Sequence, residues 1–399
     1  MPHPSFSRTR AVFTVSIAIL VCILTAGCPH RSPIWSPDGR RILLLAGSGD
    51  EDVDRPAGGL WLLEVGAAKP ERIDPPAPRR PSGVDLAIKF LGAAWIDADS
   101  FVVLAAAMAG GEVKEGSETI WRRNIAKREW TAVAGPAPSA DRTPRRQPVV
   151  ILSRGRPVLV YATGNEAVAA VSLTDGKEML RMEPAELVGP GPSDGFLVTR
   201  TANETGGLEV AAVGSDLKPL WSRPFSELSR EIAARTGKKA DEIVLNDTST
   251  SVRMGRPTGS EVGVTLVFTD VSWREGVLGY FVRLSGKDGA LLATATARGL
   301  IGRPGAVSEG EAGGSVWAVL PPAESGKEGV FIRSLALDGK GKGEQHEIPG
   351  LKKTSVYGYS LSPDGKTFAA IVSTGERFKL YLFPVGGSKL TGKPNEIEL

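Results

Sequence analysis

The side chains able to do chemistry are few and widely separated. The chain has 3 histidines: His3, His30 and His346. His30 stands two residues from Cys28, and His346 lies in Gly343-Glu344-Gln345-His346-Glu347-Ile348-Pro349, which reads as a polar strand. A three-ligand zinc site or a Ser-His-Asp triad needs a denser supply than this. Gly191-Pro192-Ser193-Asp194-Gly195 satisfies the G-x-S-x-G pattern. A nucleophile elbow needs a strand before it and a helix after it. Here prolines lead in and the strand-like Phe196-Leu197-Val198-Thr199 follows, so a turn at a sheet edge is expected. Asp50-Glu51-Asp52-Val53-Asp54 offers oxygens for calcium but lacks the D-x-[DN]-x-[DN]-G spacing with a following Glu, and reads as a solvated loop. Asp38 and Asp364 could be taken for a carboxylate pair, but each sits in a turn sequence that accounts for it, and no phosphate-binding glycine motif occurs. The expectation is no catalytic, cofactor or metal site.

The 2 cysteines lead elsewhere. Arg8 and Arg10 precede the apolar run Ala11–Leu24, and no acidic residue occurs before Asp38. At 1.5 Å per residue that run spans about 21 Å, short of the roughly 30 Å hydrocarbon core, so it fits a signal h-region better than a membrane span. Leu24-Thr25-Ala26-Gly27-Cys28 follows. This resembles the lipobox of bacterial lipoproteins. The resemblance implies cleavage between Gly27 and Cys28, diacylglycerol on the Cys28 sulfur and acylation, as by palmitate, of the new amino terminus. Residues 1–27 are then a removed signal peptide, residues 28–32 the lipidated cysteine and a short tether, and 33–399 the folded domain. The alternative is an ordinary secretory signal or anchor with a chance cysteine. With Cys22 discarded, no internal disulfide is available, and an exported domain of this size must hold together by burial. In a bacterial chain the sequons Asn203-Glu204-Thr205 and Asn246-Asp247-Thr248 carry no weight.

Lys and Arg number 48 against 45 Asp and Glu, and removal of the signal takes away only basic residues, so the domain is nearly neutral. Nothing in that balance points to nucleic acid. Arg79-Arg80 and Arg145-Arg146, each beside prolines, read as solvated loops.

Behind these residues stands an all-β pattern. Ile42–Ala46, Phe101–Ala107, Pro157–Thr163 and Val264–Val271 are apolar runs of strand length. One helix is expected, at Ser226–Thr236, with a Ser-x-x-Ser start and Gly237 past its end. Seven segments share one plan: a strand, a turn with Gly, Asp or Lys, and a more polar strand. They begin at Leu60, Thr119, Val168, Leu208, Tyr280, Val330 and Lys379. A recurring unit of about 40–50 residues with four strands is the period of a propeller blade. The widest interval, from Leu208 to Tyr280, contains the expected helix. An eighth blade is the alternative there, and two stacked sandwiches are the alternative to a propeller.

Two further segments show what precedes each hairpin. Trp35-Ser36-Pro37-Asp38-Gly39-Arg40 opens the domain, and Leu361-Ser362-Pro363-Asp364-Gly365-Lys366 precedes the last hairpin. Pro presets φ, Asp bonds the backbone ahead and Gly accepts positive φ, which makes a tight link between the first two strands of a blade. Both closely resemble the repeat of TolB-type propellers. Ala93–Ala106 is a degenerate copy with Asp97-Ala98-Asp99-Ser100 at the turn. The expectation is therefore a propeller of seven four-stranded blades, opening on an inner strand and ending on an outer one. No terminal strand completes the opposite blade, so closure must rest on packing between blades. Trp35 is expected to pack within blade one.

For function, the resemblance and compartment imply a membrane-tethered, non-enzymatic module that binds an envelope protein or a glycan. Pro29, in place of the Asp linked with inner-membrane retention, favours the outer membrane facing the periplasm. The alternative is a lyase or glycan-processing propeller using carboxylates that line the channel.

Overall fold

Each Ser-Asp-Gly turn, with the apolar run behind it, folds into an antiparallel meander, and the meanders follow one another along the chain. The computed structural model describes residues 32–46, 59–76, 87–109, 112–114, 116–138, 147–163, 166–201, 207–243, 245, 263–272, 276–299, 303–304, 315–320, 329–337, 345–348, 351, 356–374, 377–387 and 389–399. Strands of a blade are named A to D in chain order. Blade one is Ile34–Trp35, Arg41–Ala46, Gly59–Glu64 and Glu71–Arg72. Blade two is Ala87–Trp95, Ser100–Ala109, Thr119–Asn124 and Glu129–Val133. Blade three is Val149–Ser153, Arg156–Thr163, Ala167–Ser172 and Glu178–Met182. Blade four is Ala185–Pro190, Phe196–Thr201, Leu208–Val213 and Pro219–Pro224.

In blades five and six the described sheets hold strands B to D. They are Gly263–Ser272, Gly276–Ser285 and Leu291–Arg298, then Ser315–Leu320, Phe331–Ala336 and Gln345–Glu347. Blade seven is Val356–Leu361, Thr367–Thr374, Arg377–Gly386 and Asn395–Glu398.

The B and C strands explain the continuous apolar runs. Ile42 and Leu44 face blade seven, whereas Leu43 and Leu45 face blade two, and all four are at most 1% exposed. Both faces of the sheet are core, so both sets of alternate residues must be apolar. Among the described residues the buried side chains fall into seven clusters, each joining two consecutive blades. The last joins Ile42, Leu44 and Leu63 of blade one to Ala369, Ile371, Leu380 and Leu382 of blade seven, which closes the ring. The protein is a seven-bladed β-propeller; the stacked-sandwich and eight-blade arrangements are excluded.

The widest interval holds helix α1, Phe225–Thr236, instead of another blade. It starts one residue before the expected Ser226 because Phe225 is itself core, its ring edge-on to Phe268 at 5.4 Å. Leu228, Ile232 and Ala233 continue this face into the seam between blades four and five. Gly237, at φ 69°, ends the helix as expected.

Among the described residues closure uses no shared strand; it rests on packing between blades seven and one and on a buried hydrogen bond from Ser360 to Pro33 O. The first strand pairs within blade one and the last within blade seven, so no strand is exchanged across the seam.

Candidate functional site

In an antiparallel meander successive links alternate between two ends. A–B and C–D turns therefore share one face of the disc, and B–C and D–A links share the other. On the turn face the A–B turns of blades seven, one and two abut. A β-carbon on Gly39 would lie 3.7 Å from Pro363 Cδ, and Arg41 Nη1 donates to Ala98 O at 2.6 Å and to Asp99 at 3.0 Å. Arg41 Nε meanwhile donates to Glu64 at 2.6 Å, so one guanidinium ties blade one to blade two.

The two Ser-Pro-Asp-Gly turns are near-duplicates. Ser36 Oγ donates to Asp38 Oδ1 at 2.6 Å and accepts from Arg41 N at 2.9 Å, while Asp38 Oδ1 also accepts from Arg40 N at 3.1 Å. In blade seven, Ser362 Oγ donates to Asp364 Oδ1 at 2.6 Å and accepts from Thr367 N at 2.9 Å, and Asp364 accepts from Lys366 N at 3.0 Å. Gly39 and Gly365 take φ 70° and 71°, which side chains rarely adopt. The Ser36 hydroxyl holds the Asp38 carboxyl below the usual aspartate range. Burial opposes the same shift at Asp364, but the bonds from Ser362 and Lys366 N outweigh it. Each carboxylate is thus a structural acceptor inside its own turn.

The same device recurs where the sequence reading did not single it out, in the C–D turns of blades three and five. Asp175 accepts from Lys177 N at 3.2 Å and Asp288 from Ala290 N at 3.1 Å, with Ser172 and Ser285 as the leading serines. Both carboxyls are lowered, first by those serines. The signal was present as Thr174-Asp175-Gly176-Lys177 and Lys287-Asp288-Gly289, one residue longer than the A–B version. In blade two, Asp97 replaces the motif, accepting from Ser100 Oγ and Asp99 N, each at 2.8 Å.

The remaining expected positions are placed as follows. Trp35 is half-buried, and it packs in the seam with blade seven, outside the fully buried core of blade one. Ser193 is exposed in a turn with strands on both sides, Ser193 and Asp194 each at φ 53°. The glycines of that G-x-S-x-G pattern serve packing: a β-carbon at Gly195 would fall 1.9 Å from Val213 O. His346 lies in the outer strand of blade six, its Nε2 accepting from Leu390 N at 3.4 Å. Among the described residues no group of three or more His, Cys, Asp or Glu is placed to hold a metal. Gly27, Cys28, His30, Asp50–Asp54, Arg79-Arg80, Arg145-Arg146 and both sequons lie outside the described residues.

At the axis the inner strands bond side by side. Trp95 Nε1 donates to Ile34 O at 3.0 Å, and the Ala93 N–H donates to Gln147 Oε1 at 3.1 Å. Arg303-Pro304 pairs in parallel with Gly358-Tyr359, and Ser360 Oγ donates to Pro33 O at 2.8 Å. Gly358 is needed here, since a β-carbon would meet the Ser32 backbone at 2.8 Å. Among the described inner-strand side chains the one carboxylate is Glu186.

No family model matches the sequence, and no curated protein matches it. Solved structures do. A Dos1 propeller aligns over 93% of this chain and 87% of its own, at 11% identity and TM-score 0.50. A chain of a mitotic checkpoint complex aligns over 89% and 86%, at 12% identity and TM-score 0.51. TolB from Acinetobacter baumannii aligns over 99% and 73%, at 12% identity and TM-score 0.37. At these identities the likeness is one of fold.

Proposed function

We propose that this chain is a lipid-anchored, non-enzymatic binding module of a bacterial envelope, presenting a propeller face to a protein or glycan. The observation that carries the reading is the turn face. Its Ser, Asp and Gly residues are locked by internal hydrogen bonds, and Arg41 braces it between blades one and two. A surface already ordered before contact loses little entropy on binding, which suits a recognition scaffold. The anchor is read from the Leu24–Cys28 lipobox, with diacylglycerol on the Cys28 sulfur and the outer membrane facing the periplasm as the destination.

Affinity capture from crosslinked membranes tests this, using the full chain with a carboxy-terminal tag beside a Cys28→Ala control. Palmitate labelling lost in the control, together with one stoichiometric envelope protein or glycan recovered only with the lipidated form, supports the reading. Recovery of a small molecule that the purified protein converts would overturn it in favour of a propeller enzyme.

A further inference from the structure

The ring fixes where a tether must leave it. Strand A of blade one, Ile34–Trp35, runs toward its turn at residues 36–40, so Ser32 and Pro33 lie toward the opposite face, where the B–C and D–A links emerge. Their radial position is equally defined. Ser32 abuts Gly358 of an inner strand, and Pro33 O accepts from buried Ser360 of the same strand. The tether therefore starts beside the axis, far from the rim.

Its reach is short. Residues 29–33 span at most about 18 Å fully extended. Strands about 4.8 Å apart put the outer strand of a blade roughly 14 Å beyond the inner one, and strands of about six residues make the disc roughly 20 Å thick. Bringing the turn face to a bilayer would require the tether to cross the disc radially and then descend its side, about 34 Å in all, nearly twice its length. A route down the axis is too long as well: Ser32 and Pro33 are held against the inner strand of blade seven, so only residues 29–31, about 11 Å fully extended, are free to cross a disc roughly 20 Å thick.

We propose that the propeller lies with its B–C and D–A link face against the bilayer, and that the Ser-Asp-Gly turn face points into the aqueous compartment as the surface a partner meets. This rests on the lipid-anchor reading above and adds an orientation to it.

A single introduced cysteine is a unique label, since the mature chain keeps only Cys28, whose sulfur carries the lipid. Lys114→Cys marks the link face of blade two, and Lys127→Cys marks the turn face of the same blade; both lysines are exposed. Each lipidated variant is labelled with a fluorophore and incorporated into phosphatidylethanolamine–phosphatidylglycerol vesicles containing a headgroup-quencher lipid. The expected result is strong quenching at position 114 and none at 127. Equal quenching, or quenching at 127 alone, overturns the orientation. Flotation of the same vesicles separates the two claims. If the Cys28→Ala protein floats as well as the lipidated one, the anchor reading fails, and the orientation with it. If flotation depends on Cys28 while the quenching is reversed, only the orientation fails.

Discussion

Ser360 Oγ donates a 2.8 Å hydrogen bond to Pro33 O, joining inner strands whose residues stand 327 positions apart in the chain. With no strand exchanged across the seam, this bond helps to join blade seven to blade one, beside the Ser32–Gly358 approach, the abutting turns at Gly39 and Pro363, and one apolar cluster.

Ser360→Ala should therefore lower unfolding free energy by about 1–2 kcal/mol, because the bond is buried and leaves Pro33 O unsatisfied. Gly358→Ala should cost more, about 2–3 kcal/mol, since the obstacle to its methyl is backbone. Urea unfolding followed by tryptophan fluorescence measures both. A Gly358→Ala protein as stable as wild type would remove the close approach from the account of closure.

Leu44→Ala, in the closing seam, should cost about 2–5 kcal/mol, the range for a buried leucine. Leu266→Ala, in the seam between blades four and five, should cost a similar amount. Parity between them, read from urea midpoints, is the outcome expected if the closing seam is an interface like any other.

The turn aspartates predict a pH dependence. Asp38, Asp175, Asp288 and Asp364 are all held below the ordinary aspartate value in the folded chain. The unfolded state thus binds more protons near pH 4, and stability rises with pH through that region. The contribution is complete above about pH 5 and is lost as pH falls below about 4. Asp38→Asn with Asp364→Asn should flatten the fall in urea midpoint between pH 5 and 2. An unchanged acid limb would contradict the stated role of these carboxylates.

Arg41→Lys should cost about 1 kcal/mol despite keeping the charge, because an ammonium cannot serve Glu64, Asp99 and Ala98 O in one fork. If salt screening alone reproduced the loss in the wild-type protein, the geometry of the fork would be irrelevant.

Consecutive positive φ at Ser193 and Asp194, with Gly195 N donating to Pro192 O at 3.0 Å, describe a type I′ turn. Ser193→Asn with Asp194→Gly supplies the preferred pair and should raise stability by about 1 kcal/mol. The same double variant should leave labelling by a serine-directed fluorophosphonate unchanged; a wild-type signal that the variant abolishes would revive the nucleophile reading.

The C–D hairpins were legible because each pairs an apolar strand with an exposed outer strand across a polar turn, as at Val168–Met182. The two A–B turns were legible because Ser, Pro, Asp and Gly each have a local task there. Inner strands such as Val149–Ser153 were not read, being short and apolar at four successive positions, so that the alternating burial of the strand leaves no alternation in its sequence. Trp35 was expected to pack within blade one; it lies half-buried beside Ile42, Leu44 and Trp61 of that blade, and its place at the closing seam with blade seven left no sign in the sequence. The Ser360–Pro33 bond and the Arg41 fork left no mark at all. Contacts between distant segments depend on the ring having formed, and no window along the chain contains both partners.

A ring sealed without a shared strand also has no privileged starting point. Among the described residues the strands of each blade follow one another in sequence, so a chain emerging amino terminus first can assemble an open arc blade by blade. Only the final docking event spans the whole polypeptide. Topologically, the chain could be cut between any two blades and rejoined at its present ends, and every hydrogen-bonded sheet would survive with its strand order intact.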